Sequence, residues 1–291
     1  MPRYYLESLK SQAKFIPIIN FVSNFSLVVI AAGLSRLLTF IASILLARQL
    51  GVEQFGIFTT AYTIIMLVGQ LPSVIDVAFV RKYTELNILD KNTLTRTILY
   101  IKIAIFVIIL IFSLAFGNIT AHFVFRKYGT ELSLALVAGG AFSVFSSWLA
   151  YYQSKSHFVK YASVNFLQSS LGLIFIILYL SYFHSTANGA LKVYTFTYSL
   201  LGLITTVFLY SKSKNPSWTS FISQTKSLLI FTGWLIPASI LYTLLQRIDV
   251  LLLTRFSDYF QIGLYGSAIR IIAIVSIFTG NLSVIFLPKA A

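Results

Sequence analysis

The chain has 291 residues, of which 57% are hydrophobic and only 10% are charged, and its formal net charge is +14. A soluble domain carries about 25% charged residues, so this composition excludes a soluble protein and indicates an all-α polytopic membrane protein. The absence of cysteine excludes disulfides and thiolate catalysis, and the lack of a soluble basic domain argues against nucleic acid as a partner.

Eight apolar stretches are each about 20 residues long, the length that an α-helix needs to cross a bilayer. We predict membrane spans near 26–46, 57–80, 98–116, 131–152, 161–183, 189–211, 227–253 and 261–287. The spans divide the chain into an interfacial segment (1–25), a six-helix lobe (26–211), a linker (212–226) and an incomplete second lobe (227–291). The loops are too short to hold an extramembrane domain.

Basic residues are distributed unevenly between the loops. The N-terminus and the loops after the even-numbered spans hold 13 Lys and Arg residues, whereas the loops after the odd-numbered spans hold 5. Because Lys and Arg accumulate in cytoplasmic loops, this bias predicts that the N-terminus is cytoplasmic.

The chain also matches itself without a gap when it is shifted by 207 residues. The polar and glycine matches in this register are Arg48/Arg255, Gln54/Gln261, Gly56/Gly263 and Lys82/Lys289. Six spans separate equivalent points, so both halves cross the membrane in the same direction, as in the parallel repeats of transporters. The second half has two of its six expected spans, and we therefore expect that the chain is truncated.

Enzyme signatures are missing from the sequence. It has no phosphate-binding glycine loop, no HExxH sequence, no nucleophile elbow and no paired metal ligands. We therefore predict a protein that is not an enzyme, with no catalytic residue, no metal and no cofactor.

Four basic residues lie inside predicted spans: Arg36, Lys102, Arg247 and Arg270. A charge near the middle of a span costs about 3 kcal/mol on insertion scales, so such a residue normally faces a cavity, a partner or the bundle interior. The repeat register aligns Arg247 with Phe40, one helical turn after Arg36, which places both arginines on equivalent faces. We predict that all four basic residues bind substrate. The alternative for each is a buried ion pair, for which Asp76 and Asp249 are the candidate partners, and Lys102, near the start of span 3, could also extend its amine to the membrane interface.

Two aspartates and two prolines in the spans have further candidate roles. Asp76 and Asp249 are candidate coupling residues, because a desolvated carboxylate can carry a proton, and the alternative is again an ion pair. Pro72 and Pro237 interrupt spans 2 and 7 and are candidate hinges, with static curvature as the alternative.

The segment from Ile44 to Phe58 contains the pattern Arg-x-Leu-Gly-x-x-x-Phe-Gly, formed by Arg48, Leu50, Gly51, Phe55 and Gly56. This segment resembles the first loop of the bacterial polysaccharide-biosynthesis (O-antigen repeat-unit) flippases. Their superfamily also contains multidrug exporters and the peptidoglycan lipid-precursor flippase. The segments 244–250 and 264–268 are similar to the same family.

The resemblance implies two lobes with an alternating-access cavity between them, lined by spans 1, 2, 7 and 8. It also implies a cargo of oligosaccharide on undecaprenyl diphosphate, moved from the cytoplasmic to the periplasmic leaflet of the bacterial inner membrane. Arg36, Arg247 and Arg270 would pair with the phosphate oxygens, and Tyr62 and Tyr242 are candidates to line a sugar-accepting cavity. Membrane lipids and other polysaccharide-assembly membrane proteins are further expected partners.

Three other functions compete with this interpretation. The first is a cation-coupled multidrug exporter of the same architecture, which should prefer acidic cavity residues. The second is a membrane enzyme, which would need catalytic residues in a long loop. The third is a non-functional truncated gene product.

Overall fold

The computed structural model of the protein describes residues 30–125 and 129–272, and the side chains of residues 30–115 and 130–270. Within these ranges the chain forms helices and no β-strand, which confirms the all-α prediction. The predicted interfacial segment (1–25) and the last part of the eighth predicted span (273–287) lie outside the described residues.

Ten α-helices follow one another along the described chain. They are α1 (Ile30–Leu50), α2 (Val52–Gln70), α3 (Val74–Glu85), α4 (Ile88–Phe125), α5 (Gly129–Ser154), α6 (Phe158–Tyr182), α7 (Ala187–Lys212), α8 (Trp218–Leu245), α9 (Ile248–Phe256) and α10 (Tyr259–Ile272). Seven segments in the described ranges are long and apolar enough to cross a membrane, with α2 and α3 forming one of them. They correspond to the first seven predicted spans, and α10 begins the eighth.

The two predicted hinge prolines, Pro72 and Pro237, lie in different secondary structure. Pro72 lies in a 3-10 turn, Leu71–Ser73, that separates α2 from α3, where its missing N–H is tolerated. In contrast, α8 continues through Pro237, and the seventh span breaks between α8 and α9, at Gln246 and Arg247. Of the two predicted hinges, Pro72 therefore coincides with a helix break and Pro237 does not.

The helix boundaries confirm the parallel repeat. Helix α2 begins at Val52 and α10 begins at Tyr259, 207 residues later. Helix α1 ends at Leu50, and α9 ends at Phe256, within one residue of the equivalent position. The helix ends on either side of Gly51 and Asp258 therefore follow the 207-residue register, although α1 continues through Phe40, whereas the seventh span breaks at the equivalent position, Arg247.

The two halves meet where α2 crosses α10, and each helix contributes one glycine. A Cβ atom added to Gly56 would overlap the carbonyl oxygen of Tyr259, and one added to Gly263 would overlap that of Val52. Tyr259 and Val52 are themselves repeat equivalents. The crossing is therefore symmetric, and its backbone contact explains why glycine occupies both positions.

The core of the first lobe is formed by α2, α5 and α7. Phe58, Ile65, Ala138 and Leu191 are almost completely buried there. Small residues permit close approach of α2 and α5, because a Cβ atom on Gly139 would lie 2.9 Å from the carbonyl oxygen of Ile65. Such packing of small residues is typical of membrane helices. This core holds one wall of the cavity described below.

A buried arginine attaches the linker that follows the first lobe. Arg96 of α4 donates hydrogen bonds to Ser213 Oγ (2.7 Å), Asn215 Oδ1 (2.9 Å) and the carbonyl oxygen of Tyr210 (2.7 Å). Its guanidinium group also lies 3.6 Å from the centre of the Tyr210 ring. Because five donors of one arginine can hold several partners, Arg96 fixes the chain between α7 and α8 to the first lobe.

Candidate functional site

A cavity of about 300 Å³ lies between α1, α2, α9 and α10. Its lining residues are Arg36, Thr39, Phe40, Ser43, Thr59, Tyr62, Thr63, Gln246, Arg247, Asp249, Val250, Gly266, Ile269 and Arg270. Three of the four predicted substrate-binding residues, Arg36, Arg247 and Arg270, are among them. We call this space the arginine cavity.

The arginine cavity lies on the pseudo-two-fold axis of the repeat. Six pairs of its lining residues are 207 positions apart: Thr39/Gln246, Phe40/Arg247, Ser43/Val250, Thr59/Gly266, Tyr62/Ile269 and Thr63/Arg270. These pairs make up twelve of the fourteen lining residues, and only Arg36 and Asp249 lack an equivalent there. The cavity is therefore built from the same positions of both halves.

Arg247 reaches the cavity because the seventh span breaks beside it. It is the residue that precedes α9, with a φ of −134° and a ψ of −4°, outside helical geometry. Its Nε atom is buried and has no hydrogen-bond partner in the described part of the chain. A buried charged donor is costly without an acceptor, so this atom is suited to bind an acceptor that lies outside the described residues.

Arg270 is held against the aromatic wall of the first half. Its guanidinium carbon lies 5.0 Å, 5.5 Å and 5.3 Å from the ring centres of Phe55, Phe58 and Tyr62. One of its nitrogens also donates a hydrogen bond to the hydroxyl of Ser43 on α1. Cation–π contacts stabilise a guanidinium group in an apolar setting and leave some of its donors available for a ligand.

The arginine cavity carries a net positive charge. Arg36 contributes from α1, and with Arg247 and Arg270 it gives three positive charges against one negative charge from Asp249, a net of +2 for the described lining residues. A hydroxyl of the lining, Thr59 Oγ1, is buried and also has no partner among the described residues. Guanidinium and hydroxyl groups around a partly apolar space are suited to bind an anion with several oxygen atoms, such as a phosphate.

Asp249, one of the two predicted coupling residues, lines the same cavity. Its Oδ2 atom accepts a hydrogen bond of 2.5 Å from the hydroxyl of Tyr265 on α10. Its other oxygen accepts one from the backbone N–H of Val250 (2.8 Å), in the first turn of α9 where a helix favours negative charge. The carboxylate therefore joins α9 to α10 and also faces the cavity.

Asp76 and Lys102 form a buried ion pair elsewhere in the first lobe. Lys102 Nζ lies 3.0 Å from Asp76 Oδ2, and the Lys102 side chain is completely buried. Ser146 of α5 donates a hydrogen bond of 2.6 Å to the same carboxylate oxygen. Neither residue lines the arginine cavity. The structure thus brings together Arg36, Arg247, Arg270 and Asp249, and it pairs Lys102 with Asp76 as the alternative interpretation proposed.

Small hydroxyl residues of the lining were not predicted from the sequence. Ser35, Thr39 and Ser43 recur every four residues along α1, and each hydroxyl donates to the carbonyl oxygen four residues earlier, at 2.8 to 2.9 Å. Two of them, Thr39 and Ser43, line the arginine cavity. A period of four in Ser and Thr along an apolar span is the signal that would have located this polar face. The structure shows no cluster of three potential metal ligands in its described ranges.

Comparisons with known proteins agree with this architecture. A search of the curated proteins finds no match. Among solved structures, the MATE multidrug transporter DinF-BH matches with a TM-score of 0.74 at 16% identity, over 92% of this chain and 64% of the transporter. A chain named "protein A" matches with a TM-score of 0.75 at 15% identity, over 93% of this chain and 64% of its own length. At these identities the likeness shows the fold, and the chain spans about two thirds of each structure.

The family model for polysaccharide biosynthesis proteins matches residues 21–286, nearly the whole chain. Because it covers most of the sequence, this match shows that the chain belongs to the polysaccharide biosynthesis protein family.

Proposed function

We propose that the protein is a flippase that moves an oligosaccharide linked to undecaprenyl diphosphate between the leaflets of a membrane. The observation that carries the proposal is the position of Arg36, Arg247 and Arg270 around one cavity on the pseudo-two-fold axis. In alternating access, a site on that axis is reached from either side as the two halves move against each other.

The charge of the cavity supports a diphosphate cargo. A diphosphate must leave water to cross the membrane, and guanidinium groups replace its hydration with charge-assisted hydrogen bonds. The Nε atom of Arg247 and the hydroxyl of Thr59 lack partners among the described residues and would bind the phosphate oxygens. The polyprenyl chain would stay in the bilayer, where it needs no polar site.

A bacterial inner membrane with a cytoplasmic N-terminus is part of the same proposal. Its support is the bias of Lys and Arg toward one set of loops. The cargo would then move from the cytoplasmic to the periplasmic leaflet, and other polysaccharide-assembly membrane proteins would supply and accept it.

The competing function is cation-coupled export of drugs, and one observation favours it: the matching MATE structure is that of a multidrug transporter. The cavity argues for an anionic cargo instead, because an organic cation would meet a net charge of +2 there. The two functions therefore differ in the role of the arginines. In a flippase they would bind the diphosphate, whereas in a drug exporter they would repel the cationic drug.

The test is to replace the arginines of the cavity by mutating the chromosomal gene and to measure the surface glycan of the cells. We expect that Arg36→Ala or Arg247→Ala abolishes surface glycan while the membranes keep normal amounts of protein. Arg255→Ala is the matched control, because this exposed arginine lies on α9 outside the cavity. Normal surface glycan in both cavity variants would refute the assignment, and increased efflux of a cationic dye in them would favour the drug exporter.

A further inference from the structure

A second cavity, of about 340 Å³, lies within the first lobe, between α1, α2, α5, α6 and α7. We call it the side chamber. Its polar lining residues include Ser35, Tyr161, Asn165, Gln168, Ser169, Tyr194 and Tyr198. Nothing in the transport of a diphosphate requires this space, since none of these residues lines the arginine cavity.

The side chamber is bounded by a polar stripe on an apolar membrane helix. Tyr161, Asn165, Gln168 and Gly172 of α6 follow one another at intervals of three or four residues, so they share one helix face. The rest of α6 is apolar enough to cross a membrane. Two amides inside such a span therefore face the chamber and not the lipid.

Neither amide has a partner among the residues that the structure describes. Neither Asn165 nor Gln168 makes a side-chain hydrogen bond within the described residues, although each amide offers two donors and an acceptor. In a membrane interior, polar groups without partners are costly and mark sites that bind water or a polar substrate. The two amides therefore point to a ligand rich in hydroxyl or amide groups.

Aromatic rings form the opposite wall of the side chamber. The rings of Tyr62 and Tyr194 are 5.5 Å apart, and those of Phe142 and Tyr198 are 5.1 Å apart, both at steep angles. The ring faces provide flat apolar surfaces next to polar hydroxyls. A sugar ring combines the same two properties, because it has apolar C–H faces and hydroxyls around its edge.

The side chamber adjoins the arginine cavity. Arg36, Thr39 and Tyr62 line both spaces, whereas Tyr242, the other tyrosine predicted for a sugar-accepting cavity, lines neither. A ligand whose anionic group pairs with Arg36 would therefore extend its next chemical group into the side chamber. In a lipid-linked oligosaccharide, the group next to the diphosphate is the first sugar.

We propose that the side chamber binds the first sugar of the lipid-linked oligosaccharide, with Asn165 and Gln168 as its hydrogen-bonding residues. This proposal rests on the proposed function and adds a site that selects the cargo by its neutral sugar. None of the lining residues that the structure describes carries a carboxylate, the ligand that a coupling cation prefers.

The test compares two probes, undecaprenyl diphosphate and the same lipid carrying one N-acetylhexosamine, in binding to the protein in nanodiscs. We expect that Gln168→Leu or Asn165→Leu weakens binding of the glycosylated lipid about tenfold, the effect of one buried polar pair, and leaves binding of the bare lipid unchanged. Arg247→Ala should weaken binding of both lipids.

A space-filling variant gives an independent test. A Cβ atom on Gly172 would meet nothing within 4 Å, so a side chain can begin there without a clash, and Gly172→Leu should occupy part of the chamber and selectively weaken binding of the glycosylated lipid. Gly33→Leu is the matched control, since this glycine is equally open and lines neither cavity.

Cysteine labelling supplies a measurement if the leucine variants fail to fold. The chain has no cysteine, so Gln168→Cys creates a single thiol. The glycosylated lipid should protect this thiol from a small thiol reagent, and the bare lipid should not. Equal affinity of the wild-type protein for both lipids, or equal protection by both, would overturn the sugar site while leaving the flippase proposal intact. If neither lipid binds, the proposed function itself fails, and the sugar site fails with it.

Discussion

The two halves of the repeat line the arginine cavity with the same positions but with different chemistry. Where the first half has Phe40 and Thr63, the second half has Arg247 and Arg270. The backbone relation between the halves therefore creates the cavity, and residues that differ between the halves give it two of its three arginines, while Arg36 of the first half supplies the third. A symmetric frame with an asymmetric lining can hold a cargo whose two ends differ, such as a diphosphate with a sugar on one side and a lipid on the other.

The two aspartates of the spans, Asp76 in the first half and Asp249 in the second, also have different surroundings. Asp76 of the first half is neutralised inside its own lobe by Lys102, whereas Asp249 of the second half faces the cavity and is held by Tyr265. Each charge of an ion pair that is buried within one lobe depends on its partner, because removing one partner leaves the other charge buried and uncompensated, while a carboxylate in the cavity is available to respond to the cargo. The coupling role remains a prediction for both, and Asp249 has the better position for it.

The largest effect on stability is expected from breaking the buried pair. Lys102→Met should lower the free energy of unfolding by about 3–5 kcal/mol, because it leaves the Asp76 carboxylate buried without its partner. Thermal unfolding in detergent measures the loss. The double variant Lys102→Met with Asp76→Asn should recover most of it, since neither charge remains. If Lys102→Met kept its stability but stopped transport, the substrate-binding role predicted for Lys102 would gain support instead.

A swap across the pseudo-two-fold axis tests whether the cavity needs its charge from the second half. Arg270→Thr should weaken binding of undecaprenyl diphosphate by about 10- to 100-fold, the loss of one or two charge-assisted hydrogen bonds. Adding Thr63→Arg at the equivalent position should restore part of the affinity, because Thr63 lines the same cavity. Thr63→Gln provides an uncharged control. If Thr63→Arg does not restore affinity although both variants are folded, the position of the charge in the cavity matters as much as its amount.

The glycine crossing of α2 and α10 predicts equal effects in the two halves. Gly56→Ala and Gly263→Ala each place a methyl group against a carbonyl oxygen of the other helix, so each should cost about 1–3 kcal/mol, as overpacking does. Gly233→Ala, with open space around its Cβ position, should have no such cost. Unfolding measurements on the three variants test the symmetry. A large effect of only one of the two glycines would show that the crossing is asymmetric under working conditions.

The smallest effect is expected at the proline that does not break its helix. Pro237→Ala should change stability and transport little, by less than about 1 kcal/mol, because α8 already continues through this position. Surface glycan and thermal unfolding are the measurements. Pro72→Ala, at the turn between α2 and α3, is the comparison and should have the larger effect. A strong loss of transport with Pro237→Ala would restore its predicted role as a hinge.

Hydrophobicity and spacing were enough to predict the architecture from the sequence. Seven of the eight predicted spans lie in the described residues and followed from segment length, and the starts of α2 and α10 follow the 207-residue register. The cost of charges in lipid predicted that the arginines avoid the lipid, whereas the family resemblance implied that Arg36, Arg247 and Arg270 share one cavity. Span length and the cost of a charge in lipid are properties of one helix, and the repeat register compares equivalent positions in two. Predicting them therefore requires no knowledge of how the helices pack.

Only the tertiary structure decided which charges pair and where helices break. The distance between Asp76 and Lys102 depends on how α3 packs against α4 and α5, which neither residue encodes alone. The break at Arg247, in a span whose proline lies ten residues earlier, also depends on its surroundings. The sequence does not show which face of α6 carries the amides of Asn165 and Gln168, and the packing of α6 places them against the side chamber. Membrane burial decides which segments become helices, whereas contacts between helices decide what each polar side chain can do.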